Sequence, residues 1–166
     1  MNITMIGMPS SGKSTVGVLL AKRLGMRFVD VDLVIQEQTG KLLKEIIAEC
    51  GNEGFLKIEG DTATSLNPEN AIIAPGGSIC YEDWAMEHLH SISRIVYLKI
   101  SYEEMETRIG NVKDRGVAIP DGYTLKDLYD EREKLYAKYA DITVDEQDKT
   151  LGMVVDELQK MFESMR

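Results

Sequence analysis

The sequence predicts a three-layer α/β sandwich built on a five-stranded parallel sheet. Short apolar runs alternate about five times with segments of helical periodicity along the 166 residues, which is typical of a parallel sheet covered by helices. No internal repeat, low-complexity tract or Pro/Ser-rich linker divides the chain, so we expect a single domain over residues 1–166. A hydrophobic content of 43% is sufficient for a core and argues against disorder.

The first elements follow one another in a regular order from the N-terminus. Residues 2–6 predict a buried strand that ends at Gly7. Apolar residues recur at helical spacing from Ser14 onward, and Gly25 suits the C-terminal cap of that helix. A short apolar run at residues 28–31 predicts the second strand.

Later segments continue this alternation to the C-terminus. The remaining predicted elements are helices at 33–39, 42–50 and 52–66, strands at 71–74, 94–100 and 141–144, and helices at 124–139 and from 151 onward. Ser101 and Glu104 form a capping-box pattern at the start of a further helix. Residues 110–123 contain three glycines and one proline, which predicts a flexible loop.

The composition excludes several classes of protein. Lys and Arg number 19 against 28 Asp and Glu, a net charge of −9, and such a chain repels phosphate backbones, so we expect no nucleic-acid partner. No segment approaches the ~20 apolar residues that span a bilayer, and the N-terminus lacks the features of a signal peptide. Cys50 and Cys80 have neither metal-type spacing nor a disulfide framework. We therefore expect a soluble cytoplasmic protein without a membrane partner.

A phosphate-binding loop follows the first predicted strand. Residues 7–14, Gly-Met-Pro-Ser-Ser-Gly-Lys-Ser, fit the pattern G-x-x-x-x-G-K-[ST] between a strand and a periodic helix. In such a loop the backbone N–H groups and the helix N-terminus face phosphate oxygens. Lys13 would reach the β- and γ-phosphates, and the Ser14 hydroxyl would be a ligand of Mg²⁺. The residues predicted to bind the ATP phosphates are Ser10, Ser11, Gly12, Lys13, Ser14 and Thr15.

This loop alone does not define the reaction. The chain has no Asn-Lys-x-Asp run for reading guanine and is short for an ATP-driven motor. A compact kinase that transfers the γ-phosphoryl group to a small molecule fits the length best.

Four further segments resemble motifs of the shikimate kinase family. Residues 28–32 (FVDVD) resemble its F-x-D-x-D, residues 51–59 (GNEGFLKIE) its G-x-x-x-F-R-x-x-E, residues 75–77 (PGG) its Gly-Gly-Gly turn, and residues 132–136 (REKLY) its R-x-x-L-Y. The resemblance covers about residues 1–145. It implies a P-loop, nucleoside-kinase-like fold, acceptor-binding helices at about 33–67, a mobile lid at about 110–123 and a monomer. The implied reaction converts shikimate to shikimate 3-phosphate with ATP, a step of amino-acid biosynthesis.

The resemblance also implies roles for individual residues. Asp32 would orient the acceptor hydroxyl and take its proton, and Asp30 would hold Mg²⁺ through water. Gly76 and Gly77 would let backbone N–H groups approach the substrate. Arg132 would bind a substrate carboxylate bidentately.

Two arginines belong to the nucleotide side of this scheme. Arg108 would pack against adenine, and Arg115 would lie in the lid, both neutralising phosphate charge as the lid closes. The resemblance thus makes Lys13, Asp32 and Arg115 the catalytic residues. Arg108 has an alternative role as a solvated charge on a helix.

The acceptor side leaves alternatives open as well. Asp30 and Asp32, which we expect to alternate along a strand and face the same crevice, have an alternative role in capping the next helix. Arg132 has an alternative salt bridge within the acidic run 130–133. Gly76 and Gly77 also suit a plain turn.

The chain departs from the family pattern mainly on the acceptor side. Leu56 occupies the place of the Arg that pairs with the carboxylate of shikimate, and Glu59 loses a neighbouring cation. Lys57 does not replace that Arg, because adjacent helical residues point about 100° apart. Pro75 replaces the first glycine of the turn and removes one N–H, and Ser10 stands where the loop usually has another glycine.

These departures suggest an alternative acceptor. A kinase of the same fold could act on another small hydroxyl metabolite such as homoserine, whose ammonium would meet Asp32 or Glu59. A nucleoside monophosphate kinase is disfavoured because residues 33–70 contain no Arg. A nucleotide-binding regulatory protein without turnover is disfavoured because Lys13, Asp30, Asp32 and the lid residue Arg115 are all present.

Overall fold

The sheet is the centre of the computed structural model, which describes residues 1–110, 117 and 119–165. In these residues the strands are β1 (Ile3–Gly7), β2 (Arg27–Asp30), β3 (Ala71–Ala74), β4 (Arg94–Lys99) and β5 (Ile142–Asp145). They form one parallel sheet in the order β2-β3-β1-β4-β5. The predicted five-stranded parallel sheet is confirmed, and the loop after β1 lies at its middle.

Seven α-helices surround this sheet in the described part of the chain. They are α1 (Lys13–Leu24), α2 (Val31–Thr39), α3 (Leu43–Ser65), α4 (Asp83–Ile92), α5 (Tyr102–Ile109), α6 (Leu125–Tyr139) and α7 (Leu151–Ser164). Two predicted helices merge into α3, which is kinked at Gly51 by a φ of 71° and a ψ of 179°. The sequence pattern does not predict α4 or the short 3₁₀ helix at Gly77–Tyr81.

Both faces of the sheet are buried, as is typical of parallel sheets. Met5 packs in the cluster formed with α1 and α7, whereas Ile6 packs in the opposite cluster with α2, α3, α4 and α6. Successive side chains of β1 therefore enter different layers, which is the pleat of a strand in a three-layer sandwich. On the second face, Trp84 of α4 lies against Gly60 of α3, where a Cβ would be 2.6 Å from the ring.

Local signals set the ends of several helices. Gly25 adopts φ 65° and donates its N–H to the Ala21 carbonyl, which forms the predicted C-cap of α1. Ser101 Oγ accepts the Glu104 N–H at the start of α5, but the Glu104 carboxylate binds Arg108 instead of completing the predicted capping box. None of the described helices is long and apolar enough to cross a membrane.

Replacing Gly17 tests the close packing of α1 on the sheet. A Cβ at this position would be 2.5 Å from the Phe28 ring and 3.5 Å from Ile72, so Gly17→Ala overpacks the layer and should lower the free energy of unfolding by about 1–3 kcal/mol. At Gly152 in α7 a Cβ has no contact closer than 3.7 Å. Gly152→Ala is therefore the control, expected to be neutral or stabilising by up to about 1 kcal/mol. Urea unfolding measures both, and equal effects would contradict the packing described.

Candidate active site

Two residues of the phosphate-binding loop have positive φ angles and so lie in the left-handed region of backbone conformation. Gly12 has φ 86° and Ser10 has φ 65°, a conformation that glycine adopts readily and serine rarely. Lys13 Nζ donates to the carbonyl oxygens of Gly7 and Met8, each at 2.9 Å. Gly12 caps α1 without a side-chain hydrogen bond, so the helix N-terminus presents N–H groups suited to an anion.

Asp30 joins this loop to α2. Ser14 Oγ donates to Asp30 Oδ2 at 3.1 Å, while Asp30 Oδ1 accepts the N–H groups of Asp32 and Leu33 and caps α2. The predicted alternation of Asp30 and Asp32 along a strand is wrong, because β2 ends at Asp30 and Asp32 lies in the first turn of α2. The cap nevertheless places both carboxylates at the carboxyl edge of the sheet.

The Ser14–Asp30 pair fits a shared Mg²⁺ site. A hydroxyl and a carboxylate oxygen are hard ligands of the kind that Mg²⁺ takes. Within the described ranges, no group of three or more His, Cys, Asp or Glu side chains converges to hold a metal by itself. The pair therefore suits an ion that also binds phosphate oxygens and water.

A cavity of about 290 Å³ connects the loop with the acceptor side. Its lining includes Ser10, Gly12, Lys13, Ser14, Thr15, Asp30, Asp32, Phe55, Pro75, Gly76, Gly77 and Arg132. The structure thus brings most of the predicted site residues to one cavity, at the carboxyl edge where parallel sheets bind ligands.

Two groups at this cavity have shifted pKa values. Burial and the charge of Asp30 raise the pKa of Asp32 to about 6, against the opposing effect of Lys13. Burial lowers the pKa of Lys13 to about 8, although Asp32 opposes this change. Asp32 Oδ1 is buried and has no hydrogen-bond partner among the described residues, so one carboxylate oxygen remains to accept a proton.

The turn after β3 brings three charged side chains together. A Cβ at Gly76 would lie 2.3 Å from Glu59 Oε1 and 3.2 Å from Asp32 Oδ1. A Cβ at Gly77 would lie 3.0 Å from Arg132 Nη1. A side chain at Gly76 would displace the Glu59 carboxylate, and one at Gly77 would press on the Arg132 guanidinium, so both positions have a stronger constraint than a plain turn requires.

Ser78 is a site residue that no sequence pattern predicts. Glu59 is fully buried, and Ser78 Oγ donates to its Oε2. Burial and the charge of Asp32 raise the pKa of Glu59 to about 7, although Ser78 lowers it. A serine after two glycines is not a sequence motif. The hydrogen bond of Ser78 to Glu59 depends on the 3₁₀ helix at Gly77–Tyr81, which directs the serine towards α3.

Arg132 points inward from α6. It is 2% exposed, lines the cavity, and its guanidinium lies 5.3 Å from the centroid of the Tyr81 ring. Tyr136, one turn later, donates its hydroxyl to the Gly77 carbonyl. α6 buries Arg132 on the face opposite exposed Asp130, which favours a role in the cavity over the alternative of a salt bridge within the acidic run.

The helix that carries Leu56 presents Phe55 to the cavity. Leu56 itself is partly exposed. Lys57 has a side chain that is 75% exposed and pairs with Asp61 at 3.1 Å. Lys57 therefore lies away from the site, as its helical position predicts.

Arg108 reaches the phosphate loop from α5. Its Nη1 donates to the Ser10 carbonyl at 3.4 Å and to Glu146 Oε2 at 3.1 Å, and its Nε donates to Glu104 at 2.7 Å. The alternative of a merely solvated helix charge is wrong, because Arg108 connects three segments. No motif identifies Glu146, which directly follows β5.

The predicted lid is described only in part. Arg115 lies outside the described residues. Val117 lines the cavity, and the Ile119 carbonyl accepts a hydrogen bond from Asn52 Nδ2 at 3.2 Å. Parts of the segment 110–123 therefore lie against the acceptor side.

Comparison with known proteins agrees with this geometry. A family model described as shikimate kinase matches residues 9–163. The chain belongs to the shikimate kinase family. A shikimate kinase of Persephonella marina is 32% identical over 158 residues, covering 95% of this chain and 96% of that protein.

Two solved shikimate kinases share the whole fold. The enzyme from Acinetobacter baumannii in complex with shikimate superposes with a TM-score of 0.90 at 27% identity, covering 99% of this chain and 94% of that one. The enzyme from Aquifex aeolicus gives a TM-score of 0.85 at 34% identity, covering 98% and 96%. The predicted kinase of the shikimate kinase family, which transfers phosphate to a hydroxyl group, is confirmed.

The raised pKa of Asp32 predicts that this carboxylate destabilises the fold. Its pKa is higher in the folded than in the unfolded chain, so folding takes up a proton and stability falls as pH rises through about 4 to 6. Asp32→Asn should therefore raise the free energy of unfolding by about 1–3 kcal/mol near pH 7.5 and by little near pH 4.

Asp127→Asn is a control of opposite sign. The Thr124 backbone N–H holds the pKa of Asp127 below its usual range, so its carboxylate stabilises the fold near neutral pH and loses that effect as pH falls. Asp127→Asn should thus be destabilising near pH 7.5. Urea unfolding at the two pH values gives both signs, and a loss of stability in Asp32→Asn near pH 7.5 would contradict the first.

Proposed function

We propose that the chain is a shikimate kinase that transfers the γ-phosphoryl group of ATP to a hydroxyl of shikimate, forming shikimate 3-phosphate. The observation that supports this most is that Lys13 of the phosphate loop, Asp32 and the buried Arg132 line one cavity. A nucleotide phosphate and an anionic hydroxyl acceptor can therefore meet there. The similarity to the shikimate-bound Acinetobacter baumannii enzyme supports the same acceptor.

The acceptor residues divide the work between binding and proton transfer. Arg132 binds the shikimate carboxylate, and backbone at Gly76 and Gly77 approaches the ring. Asp32 accepts the proton of the reacting hydroxyl. The hydroxyl oxygen forms a bond to the γ-phosphorus, the bond from that phosphorus to the β–γ bridging oxygen breaks, and ADP leaves.

The nucleotide is bound by Ser10, Ser11, Gly12, Lys13, Ser14, Thr15 and Arg108. Lys13 and the α1 N-terminus balance the phosphate charge. Ser14 directly and Asp30 through water would hold Mg²⁺, which supplies further neutralisation when it is bound. By the family resemblance, Arg115 is the lid residue that approaches the transferred phosphoryl.

The wider organisation is proposed on the same basis. Residues 1–166 act as a single kinase domain, with acceptor-binding helices at about 33–67 and a lid at about 110–123, and work as a monomer in the cytoplasm. The unpaired state of Cys50 and Cys80 supports a reducing compartment.

The geometry favours shikimate over homoserine. An ammonium group would need exposed carboxylate oxygens, but Glu59 lies behind Gly76 and is not among the cavity-lining residues. Arg132 would bind the carboxylate of either acceptor, so the two differ in the ammonium of homoserine. Asp32, the carboxylate that does line the cavity, is assigned to the reacting hydroxyl and leaves that ammonium without a partner of its own. Homoserine is therefore the comparison substrate and not a second candidate.

Turnover with a defined acceptor tests the proposed function. ADP release with ATP and Mg²⁺ should depend on shikimate and should be at background with homoserine. Asp32→Asn should lower kcat by about 10²–10⁴-fold because the hydroxyl loses its proton acceptor, while ADP binding measured by calorimetry persists. Homoserine-dependent turnover without shikimate-dependent turnover would refute the acceptor assignment.

Leu56 predicts a gain of affinity when arginine is restored. Residues 56 and 59 are three apart in α3 and therefore share a face of that helix. Glu59 approaches the turn at Gly76, so an arginine at 56 would reach the same side. It would add a second guanidinium, besides that of Arg132, for the carboxylate of shikimate. Leu56→Arg should lower the KM for shikimate by about 10-fold, the size of one charge-assisted hydrogen bond. Lys57→Arg adds the same group on the exposed face and should leave KM unchanged. Equal KM values in both variants would contradict the placement of residue 56 beside the carboxylate of the acceptor.

A further inference from the structure

Glu146 is a buried carboxylate outside the acceptor site. It follows β5 directly and is 4% exposed. Its N–H donates to the Lys99 carbonyl at 2.9 Å, and its carbonyl accepts the Lys149 N–H at 3.0 Å. The backbone is therefore fixed to the sheet, and the side chain projects from a defined position.

The contacts of Glu146 converge on Arg108. Glu146 Oε2 accepts from Arg108 Nη1 at 3.1 Å, and the same Nη1 donates to the Ser10 carbonyl at 3.4 Å. Arg108 Nε donates to Glu104 at 2.7 Å. The Nε and Nη1 groups of one planar guanidinium are thus bound by three different segments, which defines the orientation of its plane beside the phosphate loop.

The ion pair between Glu146 and Arg108 differs from a surface ion pair because the Glu146 side chain is buried. The Glu146 side chain is 2% exposed, against 50% for the Glu104 side chain. Glu146 Oε1 has no hydrogen-bond partner in the described part of the chain. Burying a carboxylate is unfavourable without a charged partner, so the contact with Arg108 is what makes an acid tolerable here.

We propose that Glu146 is a positioning residue that holds the Arg108 guanidinium in the plane from which it packs against the nucleotide base. This inference rests on the proposed role of Arg108 in nucleotide binding. Glu146 acts through Arg108 and not by contact with the nucleotide, because its side chain is 2% exposed and its carboxylate accepts from Arg108 Nη1. It extends the nucleotide site to the end of β5.

The direction in which ligand affinity changes when Glu146 loses its charge distinguishes a positioning role from a purely electrostatic one. Removing a negative charge beside a phosphate site strengthens anion binding if charge alone matters. Loss of positioning instead weakens binding of a ligand with a base, since the freed guanidinium no longer presents a fixed face for stacking. Inorganic tripolyphosphate lacks the base and interacts only with the charge of Arg108, which Glu146→Gln leaves in place, so its binding should be insensitive to that loss.

Calorimetry with ADP and with tripolyphosphate provides the test, and neither ligand requires an acceptor. Glu146→Gln should weaken ADP binding by about 3- to 10-fold and leave tripolyphosphate binding within about 2-fold. Glu146→Asp keeps the charge but withdraws it from Arg108, so it should weaken ADP binding similarly. In an Arg108→Ala background, Glu146→Gln should have no further effect on ADP binding.

Glu133→Gln is the matched control. It removes a carboxylate that pairs with Lys99 at 3.7 Å and lines the same cleft as Glu146, and it should leave ADP binding unchanged. Tighter ADP binding in Glu146→Gln, equal weakening of both ligands, or the same loss in the Arg108→Ala background would each overturn the proposal. If Arg108→Ala weakens ADP binding but neither Glu146 variant does, only the positioning role fails. If Arg108→Ala has no effect, the proposed nucleotide role of Arg108 fails as well.

Discussion

The steric constraint at Gly76 and Gly77 organises the acceptor half of the molecule. A side chain at Gly76 would displace Glu59, and one at Gly77 would press on Arg132. The turn therefore fixes the spacing of α2, α3 and α6 around the end of β3, and the phosphate loop contacts it from the other side. A cavity that serves both a nucleotide and an acceptor exists because these segments meet at two residues without Cβ atoms.

Burial of charged side chains around this turn lowers the stability of the fold, and packing elsewhere in the molecule offsets that loss. Burial raises the pKa values of Asp32 and Glu59 to about 6 and 7 and lowers that of Lys13 to about 8. Each shift means that the charged form is less favourable here than in water. The apolar layers on both faces of the sheet supply the stability that keeps such groups together, which is the usual compromise between stability and activity.

Sequence patterns predicted the features that local chemistry determines. The glycine-lysine-serine loop, the buried strands and the cap at Gly25 follow from neighbouring residues, and the family resemblance followed from motifs in order. Features that depend on tertiary contacts were missed. Ser78 becomes a partner of Glu59 only through an unpredicted 3₁₀ helix, and Glu146 meets Arg108 only through a side-chain contact between the residue after β5 and the last turn of α5. The alternation expected of two aspartates failed because one of them caps a helix.

The contact between Trp84 and Gly60 has a spectroscopic consequence. Trp84 is the single tryptophan of the chain, is 42% exposed and donates its indole N–H to Glu82. Its ring lies on the residue that follows Glu59 in α3, and Glu59 reaches the glycine turn. The intrinsic fluorescence of this indole is therefore a label-free probe for any change in the spacing of α3 and α4.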